Sequence, residues 1–191
     1  MKETTSLNIA LKEWAVTARA LRENRQIILL RKGGIMEAIG GFQMEHDQFL
    51  LFPTYLHQNE KMLKPDVHPW YEPATVEPKE IRIDIACEVT DILRLKTREQ
   101  MNSIDEFHIW TDPLIDMRFN YKPQNPLHLL IVRAYQLVEA VTIDNTPAYA
   151  GCKSWVPLSE AISTVAVTPT MSDSAFNSAR EKVLAGLYSG S

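Results

Sequence analysis

The segment that most restricts the fold is 81–90, where Ile81, Ile83, Ile85, Cys87 and Val89 alternate with Arg82, Asp84, Ala86, Glu88 and Thr90. Successive side chains leave a strand on opposite sides, so a period of two with a polar second set demands a strand packed on one face only. A sheet is therefore required, and its other members follow from their lack of alternation. Residues 127–135 are almost wholly apolar and read as a central strand, with 140–143 as a return strand. Ile27, Ile28, Leu29 and Leu30 form a short continuous run, the pattern of a strand covered on both faces. A further run, Phe49 to Phe52, stops at Pro53. With Gly33-Gly34 and Gly40-Gly41 between these runs, the simplest connection is a β-hairpin or meander joined by glycine-rich turns.

Helices bracket these strands. Leu7, Leu11, Trp14, Ala18 and Leu21 recur at helical spacing, predicting a helix over 7–23 with Ser6 as cap and Asn24 as stop. A short helix is expected at 98–104. Asp112-Pro113 marks the start of another at 113–119, ended by Asn120-Tyr121-Lys122-Pro123. Ser172 or Asp173 caps a last helix to 187, with Phe176, Ala179, Val183 and Leu187 on one face. Between 64 and 78 four prolines (Pro65, Pro69, Pro73 and Pro78) exclude long regular structure, and an internal seam would fall in the loop 64–79. Strands and helices do not alternate as βαβ units. The expected class is α+β in a single domain over 1–191, with a mixed, mainly antiparallel sheet able to curl into a partial barrel.

Composition narrows the function classes. The chain has 191 residues, 45% hydrophobic and 23% charged, which excludes disorder, collagen-like repetition and coiled coil as the main architecture. The net charge of -4 argues against a protein that coats nucleic acid nonspecifically, though not against a local basic patch. Two cysteines, Cys87 and Cys152, make no disulfide framework, and the reducing cytoplasm is the expected compartment. The apolar runs fall far short of the roughly 20 residues that span a bilayer. No secretory signal is expected, and no membrane partner.

No Walker loop, G-x-G-x-x-G, G-x-S-x-G, H-E-x-x-H or C-x-x-C occurs. Asp66, Glu77 and Lys79 spell the PD-(D/E)xK pattern of metal-dependent nucleases, in which carboxylates hold a divalent cation and lysine positions water. Here Pro78 separates the latter two in a proline-rich loop, whereas the pattern usually sits on a strand. Neither the spacing of the five histidines nor lone Cys152 supports a metal or nucleophile site, although His46 and Asp47 with His57 remain an alternative set. Arg133 interrupts the most apolar strand with the parity of Leu129, Ile131 and Tyr135. A buried guanidinium needs a partner, here an internal carboxylate (Asp84 or Glu88) or a bound anion.

Polar-aromatic clusters recur at the element edges: 31–34, 55–58, 108–110, 118–122 and 152–155. Glycines let backbone N–H groups approach a phosphate, cations supply charge, and indole or phenol rings stack on bases. The same groups could instead seal the rim of the core and meet solvent.

At these segments the chain resembles a bacterial family, frequent in cyanobacteria, known only as a domain of unknown function and DUF1802-like. The matching stretches are Ala10 to Ala15 (ALKEWA), Leu29 to Ile35 (LLRKGGI), Phe52 to Gln58 (FPTYLHQ), Phe107 to Thr111 (FHIWT) and Gly151 to Val156 (GCKSWV). They extend over about four fifths of the chain. The resemblance implies full-length membership and no particular activity, cofactor or catalytic residue.

The leading expectation is a binding module for a phosphate-bearing ligand, either a nucleotide or single-stranded nucleic acid. Arg31, Lys32, Arg118, Lys122 and Lys153 would hold phosphates, with Gly33 and Gly34 presenting backbone N–H groups. Trp110, Tyr121 and Trp155 would stack, and His57, His108 and Arg133 would complete the site. RNA-binding PUA or ASCH domains have folds of the expected kind, an analogy of fold alone. The competing readings are a metal-dependent phosphodiesterase and a structural protein whose aromatic clusters form a homo-oligomer or partner surface.

Overall fold

A computed structural model describes residues 1, 4–32, 35–38, 41–151 and 153–189, with the backbone alone described at 35–38 and 41–43. Its strands are β1 (Ser6–Trp14), β2 (Ile28–Arg31), β3 (Ile35–Ala38), β4 (Gly41–Met44), β5 (Gln48–Thr54), β6 (Glu80–Leu95), β7 (Leu127–Asp144), β8 (Trp155–Ser163) and β9 (Thr168–Pro169). The helices are α1 (Ala15–Arg22), α2 (Glu99–Asn102), α3 (Asp112–Asn120) and α4 (Asp173–Ser189). The class is α+β. Seven strands form one sheet in the order β2-β7-β6-β5-β1-β8, with β9 on β7, and the sheet does not close among the described residues. Among the described strands of this sheet, only β1 and β5 pair in parallel. β3 and β4 make a separate hairpin; the glycine pairs at its turn and entry fall largely outside the described residues.

The expected helix over 7–23 is corrected. Its first half is β1, the chain becomes helical only at Ala15, and Ser6 begins a strand instead of capping a helix. β1 lies between β5 and β8 with both faces covered, so alternation is lost. Leu7 and Ala10 pack with Leu50, Phe52 and Val156, while Leu11 packs on the other side with Phe49 and Leu51. An irregularity in the β1–β8 ladder between Leu7 and Ile9 shifts the parity and imitates a helical period. Asn24 does end α1, at φ 58° in the left-handed region.

A second correction concerns 127–143, where no return strand exists. β7 runs unbroken for 18 residues against the 16 of β6, and the register slips between Ile83 and Ile85 and again between Val89 and Asp91. The polar break at Gln136 and Glu139 coincides with the first of these slips: Ile85 faces Gln136 and Ile83 faces Val141, so 137–140 bulge out of register with Val138 and Glu139 both exposed. β8 was not expected: it is an edge strand with Pro157 exposed, a position where a missing N–H costs nothing.

The helices cover one side of the β2–β7 end. Ile28, Leu30, Leu129 and Ile131 meet Leu114 and Ile115 of α3 and Phe176, Val183 and Leu187 of α4. A Cβ on Gly186 would lie 2.7 Å from Ile104 Cγ2 and 2.9 Å from the Ser103 carbonyl oxygen, so α4 can approach this loop only with glycine there. The proline-rich segment contributes Leu63 and Val67 to the same core, and Pro65–Trp70 forms a short 3-10 helix. Among the described residues no helix is long and apolar enough to cross a membrane.

Candidate functional site

The basic residues expected to share one site are dispersed by the fold, and several are already engaged. Arg31 ends β2 in the interior, where its Nη2 lies 2.8 Å from Glu13 Oε1 and donates to the Lys12 carbonyl at 2.8 Å. Burial lowers its pKa, and Arg118 adds to the effect while Glu13 opposes it. Lys32 turns its ammonium onto the carbonyls of Phe119 (2.8 Å), Tyr121 (2.6 Å) and Lys122 (3.3 Å) at the C-terminal end of α3. Arg118 lies against Trp14, Trp110 and Glu13 in a narrow gap, with a buried Nε that finds no acceptor. Tyr121 is exposed with the Lys122 ammonium 5.4 Å from its ring centre. Gly33 and Gly34 lie outside the described residues.

Arg133 takes neither expected carboxylate. Asp84 is shared by Arg22 and Arg82, and Glu88 accepts from the Tyr135 hydroxyl at 3.3 Å. Arg133 pairs instead with Asp173 at the start of α4 and rests on the rings of Tyr135 and Phe176. His108 and Trp110 belong to the core, stacked at 5.5 Å between ring centres. Trp110 thus offers no face to a base. Trp155 packs edge-on against Phe49 and His46.

The two carboxylates of the nuclease-like set are likewise spent on structure. Asp66 Oδ2 pairs with Arg25 at 2.6 Å, and both Glu77 oxygens accept backbone N–H groups, from Tyr55 and Leu56, at 3.0 Å each. Among the described residues no group of three or more histidine, cysteine, aspartate or glutamate side chains could hold a metal ion. Cys87 is buried and its thiol pKa is pushed up by desolvation, while Cys152 lies outside the described residues.

Two of the expected residues, His57 and Lys153, do meet, in a cleft of about 680 Å³. One wall is the end of β1 and β5, from which Lys12, Trp14, Phe52 and Thr54 project. The turn after β5 adds Leu56 and His57, the approach to β6 adds Glu77 and Lys79, and the 145–153 connection adds Asn145, Tyr149 and Lys153. The lining is largely apolar, and Glu77 is its only carboxylate among the described residues. The Lys12 ammonium sits over the Phe52 ring at 5.7 Å and donates to the carbonyls of Tyr149 and, at 3.1 Å, Gly151. It thereby ties the 145–153 connection to β1. Lys79 and Lys153 are exposed at the mouth. His57, also exposed, has φ 69°, a left-handed conformation that a non-glycine residue holds only where its surroundings require it.

Sequence reasoning missed Lys12 and Trp14 because a helix over 7–23 sends them elsewhere. The available signal was the spacing of Lys12 and Trp14, a lysine and an indole two residues apart and hence on one face of a strand.

The family model described as Domain of unknown function (DUF1802) matches residues 10–182. The chain belongs to this family. All of the cleft-lining residues fall inside the DUF1802 match. No curated protein sequence matches the chain. Among solved structures it is similar to an ASCH protein from Zymomonas mobilis: a mutant form aligns at 8% identity over 78% of this chain and 88% of that one, with a TM-score of 0.45. A second crystal structure of ASCH from Zymomonas mobilis aligns at 8% identity over 93% of each chain, with a TM-score of 0.43.

Proposed function

We propose that this DUF1802 chain binds a phosphate-bearing ligand, a nucleotide or a segment of single-stranded nucleic acid, in the cleft between the β1–β5 ends and the 145–153 connection. The observation that carries this reading is the convergence of Lys12, Lys79 and Lys153 on one largely apolar cleft whose single described carboxylate, Glu77, is committed to two backbone N–H groups. Ammonium groups act on phosphate as point charges, and the apolar walls, with half-buried Trp14, suit a flat base or sugar edge. A cleft of this volume falls in the range that small-molecule sites occupy.

Labelled single-stranded RNA and DNA, and separately ATP, titrated at low and moderate salt, test the reading. The variant is the double substitution Lys79→Ala with Lys153→Ala, because Lys12 also holds the 145–153 connection. Loss of two phosphate contacts makes the slope of log affinity against log salt shallower by about 1.4 for a single strand and weakens low-salt binding roughly tenfold or more. Thermal stability should stay within about 0.5 kcal/mol of the parent, since both side chains are exposed. Absence of binding at low salt, or binding that the double variant leaves intact, refutes the proposal.

A further inference from the structure

A second, tighter cavity of about 120 Å³ lies on the opposite face of β5 from the lysine cleft. Phe52, Thr54 and Leu56 line the cleft, whereas Leu51, Pro53 and Tyr55 line this pocket, as alternation along an extended chain requires. Helix α1 supplies Arg19 and Arg22, β6 supplies Arg82 and Asp84, and Trp70 and Glu72 close the remaining side. Three guanidinium groups thus meet two carboxylates.

The three arginines differ in how they are satisfied. Arg22 Nη1 pairs with Asp84 Oδ2 at 2.9 Å and Arg22 Nε with Glu23 at 3.3 Å. Arg82 Nε reaches the same Asp84 oxygen at 3.3 Å. Arg19 has no ion pair among the described residues: its guanidinium lies 5.2 Å from the Trp70 ring centre, and its buried Nε donates to no acceptor. A buried guanidinium N–H without an acceptor carries an uncompensated desolvation cost, so the arrangement asks for an oxygen anion beside Arg19. Arg22 and Arg82 are offset by Asp84 and Glu23, which leaves Arg19 as the guanidinium of this pocket without a carboxylate among the described residues. Besides Tyr55, the rest of the wall is Ala15, Ala18, Leu51 and Pro53, which offer no hydrogen bond from their side chains. A phosphate, polar on every side, would turn oxygens toward these alkyl groups and toward Asp84. A carboxylate is polar at one end only.

We infer that this pocket takes a small organic monocarboxylate, its carboxylate on the fork of Arg19 and its short apolar body against Ala15, Ala18, Leu51 and Pro53. The site is independent of the lysine cleft, and either could exist without the other. Guanidinium and carboxylate match in planar, two-pronged geometry, and stacking on Trp70 fixes the orientation of the fork.

Calorimetric titration of the full chain with benzoate, and separately with inorganic phosphate, tests the inference. Benzoate should saturate the protein and bind more tightly than phosphate, and should perturb the fluorescence of Trp70, a change that Trp70→Phe abolishes. Arg19→Gln should weaken benzoate roughly tenfold or more, the loss expected for a charged hydrogen bond. Arg82→Ala serves as a second variant because its side chain is 64% exposed and its loss does not endanger the fold; it should weaken benzoate roughly twofold to threefold. Failure of benzoate to saturate the parent, tighter binding of phosphate, or benzoate affinity unchanged in both variants overturns the inference.

Discussion

The inner end of β2 and the mouth of the lysine cleft are built from the same residue types and use them in opposite ways. At β2 the cations are consumed: Arg31 by Glu13 and the Lys12 carbonyl, Lys32 by three carbonyls at the C-terminal end of α3. At the cleft Lys79 and Lys153 stand exposed around an apolar lining with one committed carboxylate. Charge counted along a sequence is therefore a poor guide to charge available to a ligand. What separates the two regions is depth: an interior cation must be matched inside the protein, while a surface cation is matched by water until something better arrives.

The strongest way to break this contrast is to remove the interior match. Glu13→Ala leaves Arg31 buried without its carboxylate and should destabilise the fold by about 3–5 kcal/mol, read as a lower midpoint in denaturant. Replacing both residues with methionine should recover most of that loss. If Glu13→Ala proves as mild as a surface substitution, Arg31 is not interior in the sense argued.

The core also holds a base that stays uncharged. His108 is fully buried, and burial, reinforced by Lys64 and Arg25 and opposed by Asp105, lowers its pKa from 6.5 to about 4. Its Nδ1 accepts from the Trp110 N–H at 3.2 Å, which places the neutral ring's proton on Nε2. Because the folded-state pKa is depressed, the stabilising contribution of neutral His108 is complete above about pH 6.5. It is lost as pH falls toward 4, at up to about 1.4 kcal/mol per pH unit. His108→Asn, which keeps an acceptor for the Trp110 N–H, should flatten the dependence of melting temperature on pH in that window. An unchanged slope would show that His108 does not govern it.

The smallest effect sharpens the comparison. Lys32→Ala strips a cation from the carbonyls of Phe119, Tyr121 and Lys122 at the C-terminal end of α3 and should cost about 1 kcal/mol in thermal or chemical unfolding. Ligand binding in the cleft should not change. A loss of binding without loss of stability would move Lys32 from the structural group to the binding group.

These contrasts also show what could be read from the residues alone. The alternation of 81–89 marked the strand β6, although not a single packed face: the register slip after Ile83 turns the strand over, so that Ile81 and Ile83 pack with Leu50 and Phe52 while Ile85 and Cys87 pack with Phe49 and Leu51 on the other side. Asp112-Pro113 marked α3 because proline suits the first helical turn. β1 was hidden by having two covered faces, and β8 by Pro157 and polar positions natural to a sheet edge. His57 and Lys153 were legible as cluster members, but their meeting with Lys12 and Lys79 depends on the parallel pairing of β1 with β5, a long-range event without a local mark. Arg31 and Trp110 looked like binding groups for the same reason in reverse. Nothing adjacent to them in sequence reveals that Glu13 and Leu63 cover them.

The last residues of β5 and the turn behind them act as a partition, papered differently on its two sides. Sliding the chain by a single position there would exchange proline and phenol for threonine and leucine, so that each room acquired the other's furnishings. Insertions and deletions near this point should consequently be far less forgivable than substitutions. A change of side chain redecorates one room, whereas a change of length rebuilds both.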